Sequence, residues 1–321
     1  MMYEKQKSLK DLKANEEVKD IFAVRFKKSI ETTRNGSYYF TLKVQDALGE
    51  MMLKYWGGEN QEKVKEIFDS IKVDSIIYIE GTVKEFNGKL DLNVNEGGLK
   101  TLKQGEYDLT EFIRTTEKDP DEMLNEIKKS IDSVQNEELK KLLNAFFEDK
   151  QFIEKFKSSP AAMYKHHGWI GGLLEHTLSV LKICCDLAKY HKLDKDLLIA
   201  GAILHDIGKT QEFETTSLIK VTDKGNLLGH ITLGVQMLSE KIEKIDISEI
   251  TKNKLFHILI SHHGKKEYGC PKLPSFPEAL IIAKADELDA FTIQMIDFKE
   301  NSSTEDSFMY SKDFETNIYL K

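Results

Sequence analysis

The hydrophobic period of this chain changes once, and that change limits what it can fold into. Up to Asn95 the apolar residues mostly alternate as in strands, and from Asp119 onward they recur at helical spacing. Val18–Ile30 is rich in β-branched and aromatic residues. Asn35-Gly36 then marks a hairpin turn before Tyr38–Asp46, and Ala47-Leu48-Gly49 leads into Glu50–Trp56. A helical pattern follows over Asn60–Ile71, with Val64, Ile67, Phe68 and Ile71 on one face. Two further strands, Ser75–Glu85 and Lys89–Asn95, are joined by Asn87-Gly88. At 321 residues the chain has room for two domains. Its longest apolar run, Leu197–Leu204, is far short of the ~20 residues that span a bilayer. The charged N-terminus has no apolar signal region. Cys184, Cys185 and Cys270 form no CxxC pair and read as reduced thiols. The expectation is a cytoplasmic protein without a membrane partner.

Three strands, one helix and two strands is the order of an OB-fold, a five-stranded barrel that binds single-stranded oligonucleotides. Aromatic and basic side chains interleave along these strands, as stacking platforms beside phosphate-binding cations must. Strand alternation sends about half of the aromatics inward. Phe26, Tyr39 and Trp56 are taken as the candidates for contact with nucleic acid. A net charge of −8 argues against a generally basic binding surface.

Beyond the barrel, Asp119-Pro120 is a helix start, and Asn136 can cap a second helix running to Asp149. These helices are expected to pack between the domains. The expected division is an N-terminal extension (1–14), the barrel (15–105), a helical linker region (106–159), an all-α domain (160–300) and a tail (301–321) in which no motif is legible.

All 9 histidines lie between His166 and His263. A lone histidine is more often a core or surface residue than a ligand, and His191 and His257 are left to that reading. The others fall into a set. His176 lies on one apolar helix, and His205-Asp206 ends the next. His230 opens a third after Gly229, His262 and His263 end a fourth, and Asp286 lies within a fifth. Polar residues on helices packed around one core can converge into a metal site. Mixed imidazole and carboxylate ligation suits manganese, iron or cobalt.

This set, His176, His205-Asp206 and Asp286, resembles the H…HD…D pattern of the HD-domain metal-dependent phosphohydrolases. His230, His262 and His263 match the additional histidines of the binuclear members. HHGWIGGLLEHT (His166–Thr177), HDIGK (His205–Lys209), GHITLG (Gly229–Gly234) and SHHG (Ser261–Gly264) are similar to the YhaM-type 3′→5′ exoribonucleases. In that family an OB-fold precedes an HD domain. The resemblance implies a multidomain α+β protein that hydrolyses single-stranded RNA, with single-stranded DNA as a second candidate substrate, to nucleoside monophosphates. It implies two divalent ions per chain, manganese first, with cobalt, iron or magnesium as alternatives. One ion would be held by His176, His205, Asp206 and Asp286, and the other by Asp206, His230 and His262, with His263 beside or in place of His262. Asp206 would bridge them and Lys209 would meet substrate phosphate, so these two carry the catalytic assignment. His166 and His167 match the family motif as ligand support or substrate contacts; a polar helix cap is the competing reading. A homo-oligomer is compatible with such a design. Two other functions stay open: a phosphohydrolase of small nucleotides or cyclic dinucleotides, and a non-catalytic nucleic-acid-binding scaffold. The former is weakened by GKKEYGCPKLP standing where a GYP tripeptide would follow His263.

Overall fold

Alternation in the first strands fills a barrel. A computed structural model describes every residue except 1, 87, 164–166, 303 and 305. It divides into two compact units, residues 1–115 with 215–219, and residues 116–214 with 220–321. In the first unit, β1 (Glu17–Lys27), β3 (Tyr38–Gln45), β4 (Glu50–Trp56), β5 (Ile76–Phe86) and β6 (Lys89–Thr101) close in the order β1-β5-β6-β4-β3-β1. The two-residue β2 (Glu31–Thr32) adds to the edge of β3. Pairing of β4 with β6 is parallel and every other pairing in the sheet is antiparallel. Helix α1 (Gln61–Ser70), capped by the Asn60 side chain, connects β4 to β5. This is the expected OB-fold. Asn87 of the expected Asn87-Gly88 turn lies outside the described residues. Strand β6 runs past the expected end at Asn95 to Thr101, because Gly81 and Gly98 let β5 and β6 approach where a Cβ would lie 2.6 and 2.5 Å from a facing carbonyl.

The inward set, Phe22, Val24, Phe40, Leu42, Leu53, Tyr55, Ile77, Val83, Leu92 and Val94, forms the barrel core. Truncating a side chain there leaves a cavity and typically costs ~2–5 kcal/mol.

The second unit is almost entirely helical. Helices α2 (Pro120–Ser133), α3 (Glu137–Phe147) and α4 (Lys150–Ser158) begin at the side-chain caps Asp119, Asn136 and Asp149. The helix expected from Asn136 to Asp149 is present as α3 and ends at Phe147; Asp149 accepts hydrogen bonds from the backbone of Gln151 and Phe152 and starts the next helix. The apolar faces of α2–α4 share one core with α5 (Gly172–Leu187), α6 (Lys195–Leu204), α8 (Asp223–Ile242), α9 (Glu249–Ser261) and α10 (Pro277–Asn301). Part of the stretch expected to be a joint is thus core of this unit. Helix α6 is buried along its length from Leu197, so its C-terminal end delivers His205-Asp206 into the interior. A short helix α7 (Lys209–Glu212) and the small strands β7 (Phe213–Thr215) and β8 (Ile219–Val221) precede α8. The tail forms a hairpin, β9 (Phe308–Ser311) with β10 (Thr316–Tyr319). The cysteines are free thiols, and burial pushes Cys184 up to about 12, which leaves it inert at neutral pH. Among the described residues no helix is long and apolar enough to cross a membrane.

Candidate metal centre

Five imidazoles, from α5, the end of α6, α8 and the end of α9, each have a hydrogen bond at Nδ1 that orients the ring. His205 Nδ1 meets Ala202 O at 2.8 Å, His262 Nδ1 meets Leu259 O at 2.7 Å, and His263 Nδ1 meets Tyr268 O at 2.7 Å. His176 Nδ1 lies 2.7 Å from Asp289 Oδ2, and His230 Nδ1 lies 3.1 Å from a Glu212 carboxylate oxygen. A carbonyl or carboxylate oxygen only accepts, so each Nδ1 carries a proton. In the neutral ring Nε2 then presents a lone pair.

Those Nε2 atoms converge on one carboxylate. His176 and His205 stand 3.5 and 3.4 Å from Asp206 Oδ2; His230 and His262 stand 3.6 and 3.4 Å from Oδ1. His176 Nε2 is also 3.1 Å from Asp286 Oδ1. His230 and His263 bring their Nε2 atoms within 3.1 Å of each other. Two groups of ligand atoms result, His176, His205, Asp206 and Asp286, and His230, His262 and His263, each within 4.8 Å. Among the described residues, no group makes a hydrogen bond of good geometry with either oxygen of Asp206 or with His262 Nε2, although all are buried. Imidazole and carboxylate lone pairs crowded together in a buried site are costly, and divalent cations satisfy them. The donor set fits such ions.

Electrostatics agree. Burial disfavours an ionised Asp206, yet the Lys209 ammonium and His205 hold its carboxyl well below the usual range. Lys209 Nζ is 2.5 Å from Asp206 Oδ2; burial opposes its charge, but Asp206 and Asp286 hold it above the ordinary lysine value. His176 is wholly buried, which lowers its pKa, but Asp286 and Asp289 outweigh this and raise it to about 9. Burial lowers the pKa values of His262 and His263, which keeps their lone pairs available.

Every ligand residue expected from the sequence is in this cluster, and Lys209 is beside it. His166 lies outside the described residues. Of the two roles expected for His167, the geometry favours support over substrate contact. Its ring is 1% exposed and its Nε2 is 2.9 Å from Asp289 Oδ2. Sequence reasoning missed Asp289 and Glu212. Asp289 holds His176, His167 and the Ser179 hydroxyl together, and Glu212 also accepts from the His230 backbone N–H at 3.0 Å. Carboxylates behind ligating imidazoles fix the ring and raise its basicity. The i, i+3 spacing of Asp289 from Asp286 was the signal available.

Gly208 of HDIGK has a steric reason. A Cβ there would lie 1.9 Å from His230 O and 2.6 Å from Gly234 N, so only glycine lets α8 pack onto this turn. Gly229, at φ 69° and ψ 158°, breaks α8 immediately before His230 and aims that ring inward. Gly208→Ala is expected to cost about 1–3 kcal/mol of stability through overpacking. It should also lower bound metal by displacing His230. Chemical denaturation and elemental analysis of the purified variant check this; unchanged values for both would refute the steric account.

The second unit matches the HD domain family model over residues 173–290, and the barrel matches an OB-fold nucleic acid binding domain model over residues 23–98. The Listeria monocytogenes protein named 3′-5′ exoribonuclease YhaM is 32% identical over 294 residues, covering 91% of this chain and 90% of its own length. The chain belongs to the YhaM family. Its Bacillus subtilis relative of the same name is 33% identical over 258 residues, 80% of this chain and 79% of that protein. The Shouchella clausii relative is 32% identical over 264 residues, 82% of this chain and 80% of its own. An HD domain with this His/Asp cluster supports divalent metal binding.

Proposed function

We propose that this protein is a 3′→5′ exoribonuclease that holds two divalent ions, manganese first among the candidates. The observation that carries the reading is the convergence of four imidazole Nε2 atoms about Asp206, with His263 Nε2 beside that of His230; both Asp206 oxygens are buried, with Lys209 as the nearest cation. Divalent ions in such a cluster lower the pKa of a water nucleophile and neutralise charge on the phosphate and the leaving oxygen. The protein's own residues set the stage. Asp206 faces both imidazole groups with one oxygen each, so it can serve both ions. Lys209 supplies a buried ammonium for a phosphate oxygen, and Asp289 and Glu212 keep His176 and His230 aimed. Hydrolysis adds water at the last phosphorus and breaks its bond to the 3′-oxygen of the preceding nucleotide. A nucleoside 5′-monophosphate leaves, and the shortened strand keeps a free 3′-hydroxyl.

The barrel suits a single strand. On its outer surface Phe26 pairs across from Lys43, Tyr39 from Trp56, and Lys54 from Asn93. Tyr39 and Trp56 stack at 5.0 Å, held by Tyr39 Oη donating to Glu31 and Trp56 Nε1 donating to Asn93. Phe26 is 50% exposed, whereas Phe22, Phe40 and Tyr55 fill the core. All three candidate contacts therefore share one face. The cations between them are paired, Lys54 with Asp91 and Lys43 with Glu50, which makes stacking the larger part of any affinity. Base–aromatic stacking is worth ~1–3 kcal/mol per base, so Trp56→Ala should weaken single-stranded RNA binding roughly 5- to 100-fold in a filter-binding titration. An unchanged dissociation constant would move the binding face elsewhere.

Oligoribonucleotides labelled at either end, incubated with the full-length protein and a series of divalent metals, test the activity. The expected result is a ladder from the 5′-labelled strand and immediate release of labelled monophosphate from the 3′-labelled one. No shortening of either strand with metal shown to be bound would overturn the reading. Parallel reactions with single-stranded DNA and with cyclic dinucleotides set the substrate range.

A further inference from the structure

Beside the metal ligands lies a cleft of about 390 Å³, within the ~300–1,000 Å³ range of small-molecule sites. Lys209, His263 and Asp286 belong to its lining, so it is continuous with the reacting centre. Helix α10 supplies one wall, contributing Asp286, Phe291 and Gln294. From Asp286 to Gln294 is two helical turns, roughly 12 Å at 1.5 Å per residue. Asp313 completes the cleft. It sits in the turn between β9 and β10, and Gln294 Nε2 donates to its Oδ2 at 2.8 Å. The tail hairpin thus places the Asp313 carboxylate, with the Gln294 amide of α10 against it, in the same cleft as Lys209, His263 and Asp286.

We propose that this cleft holds the last nucleoside of the RNA, and that Asp313 with Gln294 accepts its free 2′,3′-diol. The inference rests on the exonucleolytic reading above and deepens it. Two hydroxyls on adjacent carbons are two donors, and a carboxylate offers two oxygens as acceptors only. In an RNA strand only the 3′-terminal nucleotide carries both hydroxyls free. With the last phosphate at Lys209 and the metal ligands, the ribose and base point along α10. Phe291, 39% exposed, offers a ring on which any base can stack. A strand continuing past the 3′ carbon would set a phosphate against Asp313, and like charges at close range repel. The same carboxylate would therefore prefer ribose and enforce action at the chain end.

The full-length protein loaded with manganese is given 5′-labelled oligoribonucleotides that differ only in the last nucleotide: ribose, 2′-deoxyribose or a 3′-phosphate. Hydrogen bonds to a charged group are worth enough to predict first-nucleotide removal about ten- to a hundredfold faster from the ribose end than from the 2′-deoxy end. The 3′-phosphate end should be slowest. Asp313→Ala should slow the ribose end alone, bringing the first two rates together, and should relieve part of the block at the 3′-phosphate. Gln294→Ala should narrow the same ratio in part. Equilibrium dialysis of adenosine and deoxyadenosine 5′-monophosphate gives a reading independent of turnover. Selective binding of the ribonucleotide, lost in Asp313→Ala, sustains the inference even where no oligonucleotide is shortened, in which case the exonuclease reading falls alone. Absence of any ribose preference in the unmodified protein overturns the inference, as does a variant that keeps the preference or weakens both nucleotides equally.

Discussion

Asp206→Asn is expected to lower nucleolytic turnover by roughly three orders of magnitude while RNA still binds. Metal stabilisation of charge on a transferring phosphoryl group is worth several kcal/mol, and each ~1.4 kcal/mol is a factor of ten. Asp206 alone faces both groups of imidazoles, so its loss affects both ions, whereas loss of any one histidine affects one. Asparagine is the choice because it keeps the volume beside the buried Lys209. Breaking a buried charge pair can itself cost ~3–5 kcal/mol, so single-turnover rates are to be read together with a melting curve and a binding isotherm. Near-normal turnover in the folded variant would remove Asp206 from the centre of the mechanism.

Chelating the bound metal should lower the melting temperature of the second unit by roughly 10 °C. A ligand present at about a thousand times its dissociation constant stabilises the folded state by ~4 kcal/mol, and a unit of this size shifts by ~2–4 °C per kcal/mol. The effect depends on pH with a definite sign. In the metal-free protein the pKa of His176 is raised to about 9. A raised pKa stabilises fully below the unfolded value near 6.5, and that contribution disappears as pH rises through 9. Metal competes with the same proton at Nε2, so its binding strengthens over the same interval. The difference in melting temperature between loaded and chelated protein should therefore widen from pH 6.5 to 9. Calorimetry at three pH values measures it; a constant or shrinking difference would mean that metal does not displace the His176 proton.

The ligands were legible in sequence because metal binding restricts residue type, and each sits on or at the end of an apolar helix. The supporting groups were not. Asp289 and Glu212 are carboxylates among many, and only packing turns them toward an imidazole. The barrel was legible from alternation and two Asn-Gly turns, but alternation does not say which parity faces in. The register settles it for Tyr39 and Trp56. The helix expected to end at Asp149 stops two residues earlier, at Phe147, because the Asp149 side chain is used as the cap of α4. The tail was unreadable for a different cause. Its strands are four residues each and largely exposed, and the role inferred for Asp313 depends on where a turn comes to rest.

Three of the five rings in the metal cluster take their orientation from main-chain carbonyls rather than from side chains. A main-chain oxygen cannot be mutated away. Two of those carbonyls lie three residues back in the preceding helical turn, supplied by any sequence that keeps the helix. Neighbouring side chains can then drift over generations without changing which nitrogen of His205 or His262 is bare. At His176 and His230 the Nδ1 atom instead meets a side-chain carboxylate, which substitution can remove. Evolutionary failure of this centre should therefore begin at Asp289 or Glu212, before any ligand is lost.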